Sequence, residues 1–252
     1  MSVYASTDWH GNLAVAEKVF NFLKPEDELY YLGDCADRGP DGIKIFDMLS
    51  TDSRVTFLKG NHEQFMKDGI VRWRRYGITA LSSLWAENGG ASTAEAIESS
   101  NDCENVRRLA YLHHIPITAD YFNENGKHII LNHCGFTPLI IKNGPKEGEI
   151  YPNNHLWEPM WDREHFNDIW DNDPEYSNIY MVHGHTPVNY LIYHYHTRDI
   201  VGDYPKNPHD FDFTPVQYAG GHKIDLDVGT YVTNKTYLLD LNTFEMIKIS
   251  AE

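Results

Sequence analysis

Thiols, basic charge and long apolar runs are all scarce in this sequence, and each scarcity excludes a class of protein. Three cysteines (Cys35, Cys103 and Cys134) in 252 residues are too few for a disulfide framework, and an odd, sparse set fits a reducing compartment. No stretch approaches the roughly 18 consecutive apolar residues of a membrane span. At the start, Val3-Tyr4-Ala5 gives way at once to polar residues, unlike a secretion signal. A cytoplasmic protein without membrane attachment is the expectation. Basic residues number 21 against 37 acidic ones, a formal net charge of −16. Such a chain has little with which to neutralise a nucleic-acid backbone or an anionic membrane. An anionic substrate stays open, because bound divalent cations would invert the local field.

What is present suits a single folded unit. Hydrophobic residues make up 41% of the chain and aromatic ones 13%, enough for a sizeable core. Val3–Ser6, 29–32 and 55–58 read as strands, separated by helical patterns over 13–23 and 41–49. That alternation suggests an α/β core with functional residues on the loops past the strand ends. From about 64 to 111 the pattern is helical, broken at Gly89-Gly90, and reads as a cap inserted into one domain spanning 1–252. Strand signals return over 128–132, 179–182, 223–226, 236–239 and 245–249, while 197–221 reads as a long irregular loop.

Each early strand is followed directly by a polar cluster. Asp8-Trp9-His10 places two donors two residues apart, on one face if the strand stays extended. Gly33-Asp34-Cys35-Ala36-Asp37-Arg38-Gly39 brackets two carboxylates and a guanidinium with glycines, and Gly60-Asn61-His62-Glu63 pairs an amide with an imidazole. Asp8 to Asp34 is 26 residues and Asp34 to Asn61 is 27, so three successive βα units would bring these clusters to one sheet edge. Asn132-His133-Cys134-Gly135 and His183-Gly184-His185-Thr186-Pro187 add imidazoles at two later strand ends. Mixed N and O donors without thiolate suit Mn, Fe, Zn, Ni or Co better than Mg.

In order and spacing these five blocks resemble the calcineurin-like metallophosphoesterases, in particular the branch of serine/threonine phosphatases that includes bacterial and phage enzymes and symmetrical diadenosine tetraphosphatases. Trp85-Ala86-Glu87-Asn88-Gly89-Gly90, the stretch from Trp157 to Phe166 with Trp161-Asp162-Arg163, and Ile224-Asp225-Leu226-Asp227-Val228-Gly229 extend the likeness over nearly the whole chain. The resemblance implies an α/β, layered α+β fold: a central two-sheet β-sandwich flanked by helices. It also implies two metal ions, manganese foremost. Asp8, His10 and Asp34 would hold the first, and Asp34 would bridge to a second held by Asn61, His133 and His185. Pro187 stands where many relatives have a further histidine, leaving the first site three protein ligands. His62 would act as general acid, oriented by Asp37, with Arg38 and Arg163 clamping the phosphate. The expected partner is a phosphorylated substrate, phosphoprotein or nucleotide.

Other residues fit plainer roles. Asp225 and Asp227 read as structural, with fixing a histidine ligand as one such role, and His183 as equally open to a direct role at the metals and to a supporting or merely structural one. His194 and His196 alternate as on a solvated strand face, and Lys67, Arg72, Arg74 and Arg75 suit a solvated helix face. A cysteine phosphatase needs His-Cys with Arg after five intervening residues. Cys134 leads instead to Ile140, and Cys103 meets Arg108 after only four. No Gly-x4-Gly-Lys-Ser/Thr segment exists.

Overall fold

The computed structural model describes residues 1–135, 158–161, 163–167, 177–195, 197 and 199–252. Trp157, Asp162 and His196 lie outside the described residues.

The N-terminal half follows the expected alternation: β1 (Val3–Ser6), α1 (Leu13–Phe22), β2 (Glu28–Tyr31), α2 (Gly42–Thr51) and β3 (Val55–Phe57). β1, β2 and β3 run parallel and adjacent, and β9 (Lys235–Asp240) and β10 (Met246–Ser250) return from the far end of the chain to extend the sheet in the order β10-β9-β1-β2-β3. A second five-stranded sheet joins β4 (Thr118–Phe122), β5 (His128–Asn132), β6 (Ile179–His183), β8 (Lys223–Asp225) and β7 (Val216–Tyr218) in that spatial order. Its three central strands, β5, β6 and β8, are again parallel.

Strand alternation explains how the layers stack. Val3 and Ala5 of β1 meet Ile129 and Leu131 of β5, Val182 of β6 and Leu239 of β9 in a cluster between the sheets. The intervening Tyr4 turns outward to join Val15, Val19, Ile45 and Phe46 of the helices over the first sheet. On the second sheet Ile130 and Met181 turn away from the first, onto Val188 and Leu191 of the short helix Val188–Tyr193. The helices expected as a cap are α3 (Asn61–Tyr76), α4 (Ser83–Glu87), α5 (Ala91–Ser99) and α6 (Asp102–His114). Met66, Ile70, Trp85, Ile97 and Leu112 from these helices share the core that covers the first sheet.

Two readings need correction. The expected irregular loop over 197–221 carries β7, an edge strand whose residues pair with the better patterned β8, and Phe211 packs onto the second sheet's outer core. His194 lies not on a strand but at the C-cap of the helix Val188–Tyr193, whose Val188 and Leu191 bury at helical spacing. The basic residues of α3 lie on the solvated face expected of them, where Arg74 makes an exposed pair with Asp102 and Arg72 donates to the Ala80 carbonyl. β4, another edge strand, gave no sequence signal, since Asp120 and an exposed Phe122 break its pattern. Among the described residues no helix is long and apolar enough to cross a membrane.

Candidate metal centre

Every polar block of the sequence sits just beyond the C-terminal end of a parallel strand. Asp8 follows β1, Asp34 follows β2 and Asn61 follows β3, while His133 follows β5, His185 follows β6 and Asp227 follows β8. The first two loops run side by side, tied by Asp8 N–H to the Gly33 carbonyl (3.1 Å), His10 N–H to that of Asp34 (3.1 Å) and Gly11 N–H to that of Cys35 (2.9 Å).

Asp8 and His10 converge for a different reason than strand alternation. β1 ends at Ser6, and both residues have left-handed backbones, with φ of 56° and 41°. Asp34 (61°), Asp37 (67°), Arg38 (61°) and His185 (71°) share that conformation. For residues other than glycine it costs about 1–3 kcal/mol each and persists where surroundings enforce it, above all at functional sites. Asp and His tolerate it better than most side chains.

The side chains form two overlapping groups. Donor atoms of His10, Asp34 and His62 lie within 4.8 Å of one another, and so do those of Asp34, His133 and His185, with Asp34 common to both. Asp8 Oδ1 lies 3.6 Å from His10 Nε2, and Asn61 Oδ1 lies 3.0 Å from His133 Nε2. All six expected ligands are therefore brought together, and His62 joins the group of His10.

Surrounding bonds aim the imidazoles. His133 Nδ1 bonds the Leu32 carbonyl at 3.0 Å and His10 Nδ1 that of Ala36 at 2.9 Å, which turns each Nε2 toward the cluster. Asp8 Oδ2 accepts from Thr7 Oγ1 and from His185 N–H. Glu63, to which sequence reasoning gave no part, is fully buried and accepts from the backbone N–H groups of Asp34 (2.8 Å), Cys35 (2.9 Å) and Gly60 (2.8 Å). It knits the second and third loops together.

The electrostatics ask for positive charge. Asp8, Asp34, Asp37, Glu63 and Asp227 are all buried. Burial and then Asp227 push the Asp8 carboxyl well up, and burial raises Asp227 to about 6. Burial also works against a charged His133, yet Asp34, Asp8 and Glu63 outweigh it and raise that imidazole to about 9. Asp8 Oδ1, His10 Nε2 and His185 Nε2 are buried with no hydrogen-bond partner among the described residues. Buried donors and carboxylates that find no protein partner yet converge on shared loci fit divalent cations.

The expected catalytic side chains ring this cluster. His62 Nδ1 lies 2.6 Å from Asp37 Oδ2, which also accepts from Trp85 Nε1 at 2.8 Å, and His62 Nε2 lies 3.7 Å from Asp34 Oδ2. Arg38 stands on the His10 side, its guanidinium 4.8 Å from the centre of the Tyr231 ring. Arg163 stands on the His185 side, its Nε donating to Thr186 Oγ1 at 3.0 Å. His183 faces away: its Nε2 lies 2.8 Å from the Tyr218 hydroxyl, and burial lowers it to about 3, so it is a neutral core residue. Asp225 Oδ1 accepts from Asp227 N–H and Asp227 Oδ1 from Gly229 N–H, which shapes the last loop; neither carboxylate holds a histidine by these bonds.

Two openings flank the cluster. One, of about 320 Å³, lies along His10, Arg38 and Tyr231, and the other, of about 240 Å³, along Asn61, Phe65 and Trp161.

Residues 1–224 match the family described as Calcineurin-like phosphoesterase. Over 91 residues the chain is 33% identical to Serine/threonine-protein phosphatase 1 of Salmonella typhimurium, covering 35% of this chain and 38% of that protein. It is 25% identical over 131 residues to Serine/threonine-protein phosphatase 2 of Escherichia coli, covering 51% and 56%. The chain thus spans less than two thirds of either relative's length. Among solved structures, a metallophosphoesterase from Sphaerobacter thermophilus aligns with a TM-score of 0.55 at 15% identity, over 100% of this chain and 89% of that one. At that identity the likeness is one of fold.

Proposed function

The chain belongs to the calcineurin-like phosphoesterases, and on that premise we propose that it hydrolyses phosphoric esters at a pair of metal ions, as a phosphatase of the serine/threonine protein type. The observation that carries this reading is the pair of buried donor groups that share Asp34. Asp8, His10 and Asp34 would hold one ion, and Asp34, Asn61, His133 and His185 the other. Bound there, two divalent cations supply Lewis acidity and a nucleophilic water at neutral pH.

The remaining work falls to the chain's own side chains. Arg38 and Arg163 reach the cluster from its two sides and offer planar donor sets suited to phosphate oxygens. His62 gives Nδ1–H to Asp37, which fixes the ring with Nε2 toward the reacting centre; Nε2–H then protonates the departing oxygen. Trp85 holds Asp37 in turn. The two thiols in the site's own loops are buried, and burial and Glu63 push Cys35 far up, while Cys103 lies on α6. On this reading water attacks phosphorus directly, without a covalent phosphoenzyme. Helices α3 to α6 share the first sheet's core, which supports reading the chain as one domain; manganese is proposed on the family resemblance, and the mixed N and O set equally suits Fe, Zn, Ni or Co.

The test is a pair of variants in metal-reconstituted protein. Asp34→Asn loses metal and nearly all turnover. His62→Ala keeps metal and loses about 10²–10⁴-fold in rate, most for esters with poor leaving groups. Full activity in Asp34→Asn would sink the two-metal reading. A panel of phosphopeptides, dinucleoside polyphosphates and cyclic nucleotides tests the substrate class. Preferential cleavage of the dinucleotide overturns the protein-phosphatase reading and leaves the hydrolase intact.

A further inference from the structure

The exposed apolar surface of this chain is not spread evenly. Among the described residues thirteen large hydrophobic side chains are exposed, and five of them, Val71, Tyr76, Ile78, Leu81 and Leu84, fall on the end of α3, the segment after it and the start of α4. The same stretch concentrates positive charge. Between positions 67 and 75, Lys67, Arg72, Arg74 and Arg75 stand against Asp68 alone, in a chain of net charge −16. Metal and phosphate chemistry require neither feature.

Helical spacing joins this patch to the metal centre. Asn61, Gln64, Asp68 and Arg72 of α3 line the opening of about 240 Å³ beside Asn61, together with Ser82 and Leu84. Steps of three or four residues keep those α3 side chains on one stripe of the helix, and the next step reaches Arg75. The segment between α3 and α4 is tied down beside that stripe. Arg72 Nη1 donates to the Ala80 carbonyl at 3.0 Å, and Thr79 N–H and Oγ1 both donate to Glu98 Oε1 at 2.8 Å. A preformed strip thus leads from Asn61 outward along α3. At the rise of an α-helix, Asp68, Arg72 and Arg75 lie about 10, 16 and 21 Å along it from Asn61. An extended peptide advances about 3.3 Å per residue, so it passes Asp68 about three residues from the one at the metals and the two arginines about five to six residues away.

We propose that this strip is a docking track for the substrate protein: an extended segment flanking the phosphorylated residue lies along α3, with acidic side chains facing Arg72 and Arg75 and apolar ones against Ile78, Leu81 and Leu84. Charge decides the occupant. A chain of net charge −16 repels an acidic segment over most of its surface, and the arginines of α3 admit it here. Asp68 disfavours a carboxylate nearer the phosphoester, which sets the register. The track rests on the serine/threonine phosphoprotein reading and adds to it a choice among substrates by the sequence around the phosphorylated residue.

The test uses metal-reconstituted protein and phosphoserine peptides that carry either glutamate or lysine at the positions facing Arg72 and Arg75, on either side of the phosphoserine. In wild type, kcat/KM for the glutamate peptide is expected to exceed that for the lysine peptide by about tenfold at low salt, with the ratio shrinking as salt rises. Arg75→Glu and Ile78→Glu, both at exposed positions, are each expected to lower that ratio by about threefold or more. Lys248→Glu makes the same change in net charge as Arg75→Glu on exposed β10, at the opposite edge of the first sheet from β3, and should keep the wild-type ratio. Fluorescence anisotropy with the same peptides bearing a non-hydrolysable phosphonate should show the same preference without turnover. Two peptides cleaved within about twofold of each other by wild type, or a ratio that Lys248→Glu lowers as much as Arg75→Glu does, overturns the track and leaves the phosphoprotein reading standing. Cleavage of neither peptide sinks that reading instead, and the anisotropy difference then decides the track. Self-association in sedimentation, or binding to phosphatidylserine vesicles, that Arg75→Glu abolishes would give the strip to a second copy or to a membrane and overturn the proposal.

Discussion

At the scale of single residues, the site depends on a carboxylate that makes no contact with substrate. Glu63 accepts three backbone N–H groups from two loops, and its Oε2 takes both Asp34 and Gly60. In Glu63→Gln one of those N–H groups faces an amide NH₂ in a fully buried position. The expected loss is about 1–3 kcal/mol of stability, the cost of leaving a buried donor unsatisfied, read from urea unfolding of the metal-free protein. Weaker metal binding should accompany it, because the displaced loop carries Asp34. A change under about 0.5 kcal/mol would mean the loops hold their shape without it. The residue-level chemistry was only partly legible in the sequence. Asp8, Asp34, Asn61, His133 and His185 stood out because each follows an apolar run beside glycine or another donor. Glu63 looked like a simple neighbour of His62, since its partners lie 28 and 29 residues earlier as well as at Gly60. The left-handed backbones of Asp8 and His10 were equally hidden, being imposed by the pairing of two loops.

Among the elements, α3 does the most. Its first turn carries Asn61, His62 and Glu63, and its middle lies against Trp85 at Gly69. The sequence pattern starts this helix at Gln64, because three polar site residues mask the apolar face that begins with Met66 and Ile70. Strands β1, β2 and β3 were readable to within a residue or so, each being a short apolar run with its own buried face. The edge strands β4 and β7 were not, since they owe their form to a paired neighbour. Gly69→Ala tests how tightly α3 and Trp85 are matched. Alanine gains about 1 kcal/mol of helix propensity over glycine, but overpacking a filled contact costs about 1–3 kcal/mol. The Cβ would meet the indole at 2.6 Å, and the indole cannot retreat without releasing Asp37. The expected outcome is a net loss of stability with a lowered kcat, measured by thermal unfolding and single-turnover rates. A stabilised variant with wild-type kcat would show that Trp85 moves freely.

For the whole molecule, the two sheets meet across a mainly aliphatic cluster edged by Tyr30, Tyr121, Tyr180 and Phe244, and the donor groups lie at one edge of that junction. Asp8, His10 and Asp34 hang from the first sheet, and His133, His185 and Asp227 from the second. In the group of Asp34, His133 and His185 the donors come from both sheets, so an ion held there would clamp one against the other. Binding to the folded state alone stabilises by mass action, about 2.7 kcal/mol at one hundred times Kd. For a chain of this size each kcal/mol moves Tm by about 2–4 °C. Manganese at that excess should therefore raise Tm by about 5–10 °C, and a chelator should reverse the shift. His185→Ala removes one of the two imidazoles that the second sheet brings to this group, and its Nε2 has no hydrogen-bond partner among the described residues. Its shift with manganese should be distinctly smaller, while His194→Ala, at the end of a helix away from the cluster, should respond as wild type does. A Tm indifferent to manganese and chelator, in protein that binds the metal, would mean that the sheets are already locked by their aliphatic junction.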